Sequence, residues 1–261
     1  MITLILGDSS FSNIVLQKIK KKKIKYFIID FSKNNKFKNE ANSYKISIGK
    51  FGEIIKLIKS KKSKKVLFAG KISKPNFSSL KLDFKGIYYM PSIIKAAKIG
   101  DAAIIKLIVR ILSKEGIQVI NSTFFNPELS LKKGNFSKSK PTKQDITSIN
   151  KGKTYFNKIN NLDHVQALII KDGKIIAKEG RESTKKMLSR LKIGRGCILI
   201  KLPKIRQDLR IDLPTIGIET LKDAKKVGLK GIVLKSKKNI VLDKKKVISY
   251  ANKNKIFIHV I

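Results

Sequence analysis

Short β-branched runs alternate with amphipathic stretches through the first 120 residues, and this alternation constrains the fold more than any other feature of the chain. Residues 2–6, 25–30, 44–48, 66–70 and 117–120 read as strands. Residues 11–20, 52–60 and 91–115 read as helices, the last with Pro91 near its start and Gly116 at its stop. Strands joined through helices run parallel, because a crossover long enough to return the chain is itself a helix that covers a sheet face. A Rossmann-like parallel-sheet domain is therefore expected over residues 1–132. Its first turn, Gly7-Asp8-Ser9-Ser10, follows a strand and precedes a helix, the place where such sheets meet nucleotide phosphates or ribose. The turn lacks the G-x-G-x-x-G pattern, and no G-x-x-x-x-G-K-[ST] loop occurs.

Residues 133–141 are polar and rich in Lys, Ser and Gly, and are expected to be a linker. Beyond them a second α/β domain is expected over residues 142–261. Helices are read at 143–160, 183–191, 218–227 and 244–253. Strands are read at 167–170, 174–177, 197–201, 232–234, 240–242 and 256–261. Asp172-Gly173 between two short runs signals a hairpin, so this sheet should be mixed rather than parallel throughout.

Charge is the most conspicuous feature of the composition: 59 Lys+Arg against 18 Asp+Glu, a formal net charge of +41. Such a balance suggests phosphate neutralisation and hence a nucleic-acid-binding protein. The basic residues are, however, 53 lysines and six arginines, beside 43 isoleucines. Lysine and isoleucine both have A/T-rich codons, and lysines scattered in short runs are solvated faces. No specific nucleic acid is expected on this reading, although anionic ligands and an anionic inner-membrane surface remain favoured partners. Five of the six arginines fall between Arg181 and Arg210, where the planar fork suits phosphate or carboxylate. A single cysteine, Cys197, excludes disulfide frameworks and zinc fingers and fits a reducing, cytoplasmic setting. No apolar run reaches the ~20 residues of a membrane span, and residues 2–6 lack the basic flank of a signal peptide.

One constellation carries chemistry. From Lys204 the chain reads KIRQDLRIDLPTIG to Gly217. If residues 208–213 are extended, Asp208, Arg210 and Asp212 share one face and Leu209, Ile211 and Leu213 the other. Two carboxylates flanking an arginine can hold Mg²⁺ and clamp a phosphate, an outline for phosphoryl hydrolysis. The same pattern also describes an exposed strand with a self-neutralising ladder of ion pairs, and spacing alone does not separate the two. His164 and His259 lie far apart in sequence, and Cys197 sits among apolar neighbours. Neither histidine-based nor thiol catalysis is indicated. A nucleotide-dependent oxidoreductase built on the first domain is weakened by the missing glycine pattern.

The string Gln207-Asp208-Leu209-Arg210-Ile211-Asp212-Leu213-Pro214-Thr215-Ile216-Gly217 resembles the signature of the metal-dependent, two-domain UDP-2,3-diacylglucosamine pyrophosphatases of lipid A synthesis, a family unrelated to the calcineurin-like enzymes of the same step. The likeness extends to Gly70-Lys71-Ile72-Ser73-Lys74-Pro75-Asn76-Phe77, Gly100-Asp101, Val165-Gln166-Ala167, Asp172-Gly173, and Glu179 with Glu182. The family's Glu-Gly-Thr-Asp stands here as Glu182-Ser183-Thr184-Lys185, so no metal role is carried to position 185. The resemblance implies water attack, at the sugar-side phosphorus, on the pyrophosphate of an acylated UDP-sugar. The products would be UMP and 2,3-diacylglucosamine 1-phosphate, with Mg²⁺ as cofactor. Read with the residue chemistry, Asp208 and Asp212 are candidates for the metal and the water. Arg210 and Lys204 are candidates for phosphate, and Thr215 for a hydrogen bond. Gln166 and Glu182 would contact sugar or metal shell, and Gly7, Lys71 and Asp101 would form the lip on the first domain. An apolar cleft for the acyl chains is expected, most naturally between the domains. The enzyme is expected in the cytoplasm or on the cytoplasmic face of the inner membrane, with oligomeric state left open.

Overall fold

The computed structural model describes residues 1–73, 75–159, 165–180, 183–191, 195–204 and 207–261. Its strands are β1 (Ile2–Leu6), β2 (Tyr26–Asp30), β3 (Ser43–Lys45), β4 (Lys65–Ala69), β5 (Gln118–Ile120), β6 (Gly134–Asn135), β7 (Ala167–Lys171), β8 (Lys174–Lys178), β9 (Ile198–Lys201), β10 (Thr215–Ile216), β11 (Gly231–Leu234), β12 (Ile240–Val241) and β13 (Phe257–Val260). Its helices are α1 (Ser10–Lys21), α2 (Phe51–Ser60), α3 (Phe84–Ile99), α4 (Asp101–Lys114), α5 (Lys143–Lys158), α6 (Thr184–Ser189), α7 (Ile218–Lys226) and α8 (Lys244–Lys253). The chain divides into two compact units. The first comprises Met1–Pro127 with Arg210–Asp212, and the second Glu128–Leu209 with Leu213–Ile261.

The first unit is built on a five-stranded sheet in the order β3-β2-β1-β4-β5, every pair parallel. The register sets Leu4 opposite both Ile28 and Leu67, and all five residues of β1 are buried. Burial on both faces explains why the strands read as continuous apolar runs. Ile5, Phe27, Ile29, Val66 and Phe68 pack with Ile54, Ile55 and Ile58 of α2 and Val109, Ile111 and Leu112 of α4. On α1, Val15, Leu16 and Ile19 are buried. Successive strands step outward from β1 to β2 and β3, then jump to β4, so the order reverses between β1 and β4.

The helix expected over 91–115 is two helices. Asp83 starts the first: its carboxylate accepts from the Gly86 amide at 2.8 Å and from the Glu53 amide, in the first turn of α2, at 2.8 Å. Burial favours the neutral Asp83, but these amides outweigh it and hold the carboxyl below its ordinary value. One side chain therefore satisfies orphan donors of two helices. Pro91 sits inside α3 and not at its start. The break falls at Gly100, whose φ of 148° is closed to residues with a Cβ.

The second unit carries a six-stranded sheet in the order β6-β13-β11-β9-β7-β8 and a two-stranded sheet of β10 and β12. Strands β13, β11 and β9 are parallel, while β6, β7 and β8 add antiparallel neighbours, so the sheet is mixed as expected. Side chains alternate strictly between its faces. Ala167, Ile169, Leu199, Ile232 and Ile258 join one cluster, and Leu168, Ile170, Ile200, Val233 and Phe257 the other. Asp172 (φ 46°) and Gly173 (φ 76°) form the two-residue turn of the β7–β8 hairpin, as their sequence indicates.

The stretch 133–141, expected as a linker, contributes an edge to this sheet. β6 pairs with β13, the Phe136 amide donates to the Ile258 carbonyl at 2.9 Å, and the Ile258 amide donates to Ser137 Oγ at 2.7 Å. Strand pairing here uses backbone groups, which polar composition does not reveal. Cys197 is buried, and burial pushes its thiol pKa up. His259 hydrogen-bonds Asn135 at 2.6 Å, and burial, with Lys133 nearby, holds its imidazole pKa down. Both fit the structural roles read from the sequence. His164 lies outside the described residues.

Candidate active site

In an open α/β sheet, ligands bind beyond the carboxyl ends of the strands where the strand order reverses. In the first unit that place is the end of β1 and β4, and the chain closes tightly there. The Gly7 amide donates to the Ala69 carbonyl at 2.9 Å and the Asp8 amide to the Lys71 carbonyl at 2.7 Å. Ser12 Oγ, on α1, donates to Gly7 O at 2.7 Å and ties the helix to the same turn. Gly7 is required for space: a Cβ there would lie 2.3 Å from the Lys71 carbonyl oxygen. Gly7 and Lys71, both expected on the lip of the first domain, thus meet through their backbones, with the Lys71 side chain exposed.

Next to this turn the first unit holds a cavity of about 320 Å³, within the range of small-molecule sites. Ile5, Phe31, Phe68, Phe77, Met90 and Ile93 are among its lining residues. Among the described residues, its polar side chains are Ser73, Asp101 and Asp212. Asp101 is the first residue of α4, where the helix dipole favours a carboxylate. Asp212 arrives from the far end of the sequence. The apolar cleft, expected most naturally between the domains, thus has a counterpart inside the first unit.

The signature segment is not the extended strand expected over 208–213. Leu209–Ile211 form a turn, and the expected alternation fails: Arg210 is exposed, while Asp208, Ile211 and Asp212 are all half-buried. Ile211 packs against the apolar cluster of the first unit and lines its cavity. The turn lets Ile211 bury part of its side chain against that cluster, which an exposed strand would deny it. Asp208 belongs to the second unit, whereas Arg210 and Asp212 group with the first. A shared strand face for Asp208, Arg210 and Asp212 is thereby corrected, and Asp101 takes its place as the carboxylate that shares a cavity with Asp212.

In the second unit Lys204 follows the end of β9, where the Leu202 amide donates to the Gln166 carbonyl at 3.0 Å. Gln207 Oε1 accepts from the Lys204 amide at 2.8 Å, closing a turn after Pro203. The Gln166 amide donates to Glu179 Oε2 at 2.9 Å. Thr215 Oγ1 donates to the Leu213 carbonyl at 3.0 Å and opens β10. Glu182 lies outside the described residues. Sequence reasoning passed over a buried polar chain here. Lys201 Nζ donates to Thr184 Oγ1, which donates to Glu179 Oε1 at 2.7 Å, and all three residues are under 9% exposed. The available signal was Lys201 on an inward-facing position at the end of an apolar strand. Gln207 Nε2 is also buried, with no hydrogen-bond partner among the described residues.

Among the described residues, no three His, Cys, Asp or Glu side chains gather closely enough to cage an ion. Mg²⁺ commonly takes one or two carboxylates and completes its shell with water and substrate phosphates. The Asp101 and Asp212 pair at one cavity fits that habit.

The chain matches known proteins over most of its length. Residues 1–129 match the family model described as the LpxI N-terminal domain, and residues 132–259 match that of the LpxI C-terminal domain. The chain is similar to the UDP-2,3-diacylglucosamine pyrophosphatase LpxI of Caulobacter vibrioides. The two are 33% identical over 223 residues, which cover 82% of this chain and 80% of that protein.

Proposed function

The chain belongs to the LpxI family, and from that premise we propose that it hydrolyses the pyrophosphate of UDP-2,3-diacylglucosamine to UMP and 2,3-diacylglucosamine 1-phosphate with the help of Mg²⁺. The observation that carries this reading is the apolar cavity at the β1/β4 crevice with Asp101 and Asp212 in its lining. An apolar lining suits acyl chains, and the two carboxylates in it suit a metal ion beside a headgroup phosphate. A catalytic nucleophile is not required, because water breaks one P–O bond of the anhydride and the products leave as two phosphates.

Asp212, with Asp101 at the same cavity, would hold Mg²⁺, and Asp208 or Asp212 would take the proton of the attacking water. Mg²⁺ supplies, when bound, a Lewis acid for the non-bridging phosphate oxygens. Arg210 is exposed, and its planar fork suits a phosphate, a contact whose strength comes from two parallel charged hydrogen bonds. Lys204, Lys71, Thr215, Gln166 and Glu182 are read as further contacts to phosphate and sugar, with Gly7 keeping the turn tight. The cytoplasmic setting belongs to the same proposal. Among the described residues, no helix is long and apolar enough to cross a membrane.

The test is UMP release from UDP-2,3-diacylglucosamine by the purified protein. EDTA should abolish release and Mg²⁺ restore it. Asp212→Ala and Asp208→Ala should each lower the rate by about a hundredfold or more, the scale of losing a group that acts on transition-state charge. Absence of UMP release in Mg²⁺ would reject the reaction, and full activity in both variants would reject the site.

A further inference from the structure

Helix α3 is apolar around most of its circumference, a composition that ordinarily marks a helix buried on all sides. Here only one side is buried. Gly86, Ile93 and Ala96 face inward, and Met90 and Ile93 line the cavity described above. The opposite side carries Phe84, Ile87 and Tyr88 at 88%, 61% and 73% exposure, with Ile94 and Ile99 also exposed. At 100° per residue, Phe84, Ile87, Tyr88, Pro91 and Ile94 form one continuous face, and Lys95 and Lys98 continue it toward the C-terminal end. Large apolar side chains that stay in water at helical spacing mark a surface that is covered in use.

Charge decides what covers it. Exposed Lys81, Lys95 and Lys98 surround the face, while of the neighbouring acids Asp83 caps α2 and α3, Glu115 pairs with Lys59 and Lys85, and Asp101 opens α4 and lines the cavity. The chain as a whole carries +41. A second copy would bring the same positive face and repel, whereas an anionic lipid surface matches both the lysines and the Phe-Ile-Tyr wedge. Aromatic and aliphatic side chains settle at the headgroup boundary, and lysines bury their stems while keeping the ammonium among lipid phosphates.

We propose that α3 is a membrane-docking helix. Its Phe84-Ile87-Tyr88 face enters the interface of an anionic bilayer, and Lys95 and Lys98 bind the headgroups. The inference deepens the proposed function and rests on it for the lipid nature of the substrate. The face and the cavity lie on opposite sides of one helix, so an acyl chain leaving the bilayer has about one helix diameter, ~10 Å, to cross.

Vesicle binding is read without substrate, so docking and hydrolysis can fail separately. The probes are vesicles of phosphatidylglycerol and phosphatidylethanolamine, with phosphatidylcholine vesicles as the uncharged comparison, in co-sedimentation at low and high salt. The charge-neutral variant Phe84→Ser/Ile87→Ser/Tyr88→Ser keeps every lysine. It should lose about tenfold or more of the binding that survives high salt, because salt screens the scattered lysines but not apolar insertion. The chain contains no tryptophan. Tyr88→Trp therefore installs a single indole fluorophore, whose emission should shift to the blue on anionic vesicles and not on phosphatidylcholine. This readout stands even should the triple variant fail to fold. Equal binding by the triple variant and its parent would overturn the proposal, as would an indole emission that anionic vesicles leave unshifted in the Tyr88→Trp protein. A triple variant that turns a dimer into a monomer with vesicle binding intact would assign the face to a second copy and overturn it too.

Discussion

Gly7→Ala tests whether the β1/β4 crevice is closed as tightly as its hydrogen bonds indicate. The new methyl carbon would lie 2.3 Å from the Lys71 carbonyl oxygen, 2.7 Å from the Lys71 carbonyl carbon and 3.0 Å from Ile72 Cγ1. Two of these atoms are backbone, so no rotamer change relieves the contact. Reaching an ordinary separation requires the chain at Lys71 to retreat by roughly 0.7–1 Å, because overpacked atoms in a filled site move together. The Asp8 amide to Lys71 carbonyl bond, now 2.7 Å, would then pass the end of the normal range. Overpacking costs about 1–3 kcal/mol and a lost hydrogen bond about 0.5–1.5 kcal/mol. The stiffer unfolded chain returns about 0.4–1 kcal/mol. The net loss is about 1–3 kcal/mol, or roughly 4–12 °C in the melting transition of a unit of this size. Differential scanning calorimetry, read on the transition of the first unit, measures it. Gly180→Ala is the control, since a Cβ there meets nothing within 4 Å. A Gly7→Ala transition within about 2 °C of the parent would refute the packing argument at this turn.

Two further outcomes follow from the second unit. Asp145 is buried, which favours its neutral form, but the Lys230 ammonium and the Thr142 cap outweigh burial and hold its carboxyl below the ordinary value. A depressed carboxyl contributes stability that is present above the unfolded pKa, near 3.9, and lost as pH falls through the folded one. Asp145→Asn keeps an oxygen for the Thr142 amide but loses the charge that Lys230 and the N-terminus of α5 favour, so it should cost about 0.5–1.5 kcal/mol at neutral pH, the Lys230 share being small because that ammonium is partly exposed. The gap between variant and parent in urea unfolding should narrow as pH falls below about 4 and close below the depressed folded pKa. A gap that persists in acid would show that the charge plays no part. Cys197 is buried with a raised pKa, so a disulfide reagent such as DTNB at mildly alkaline pH should modify it only as fast as the unit opens. Modification at the rate of a free thiol would place the side chain outside the core.

Most of the elements were legible because strand and helix periods survive in short windows. The five strands of the first sheet, the Asp172-Gly173 hairpin and the capped α5 each rest on residues adjacent in sequence. The misreadings have different causes. Pro91 looked like a helix start because proline suits a first turn, whereas the helix is opened seven residues earlier by the local cap of Asp83 on the Gly86 amide and carries Pro91 inside it. The edge strand at Gly134–Asn135 looked like a linker because its stabilising partner, β13, is the last strand of the chain. The buried Lys201–Thr184–Glu179 chain was invisible as a unit, since its members are hydrophilic residues scattered along the sequence.

The candidate site divides the same way. Residue identity in the segment 207–217 nominated Asp208, Arg210 and Asp212 for phosphate chemistry only through its resemblance to a family, because the bare pattern describes a ladder of ion pairs equally well. The alternation of apolar runs likewise determined a parallel sheet followed by a mixed one. Tertiary structure alone decided that Leu209–Ile211 turn, and that Ile211 seats in the apolar cluster of the first unit. It also brought Asp212 to the same cavity as Asp101, more than a hundred residues earlier in the chain. A strand and a turn of this composition differ by little in local energy, so contacts distant in sequence, such as the partial burial of Ile211 against the first unit's apolar cluster, decide between them.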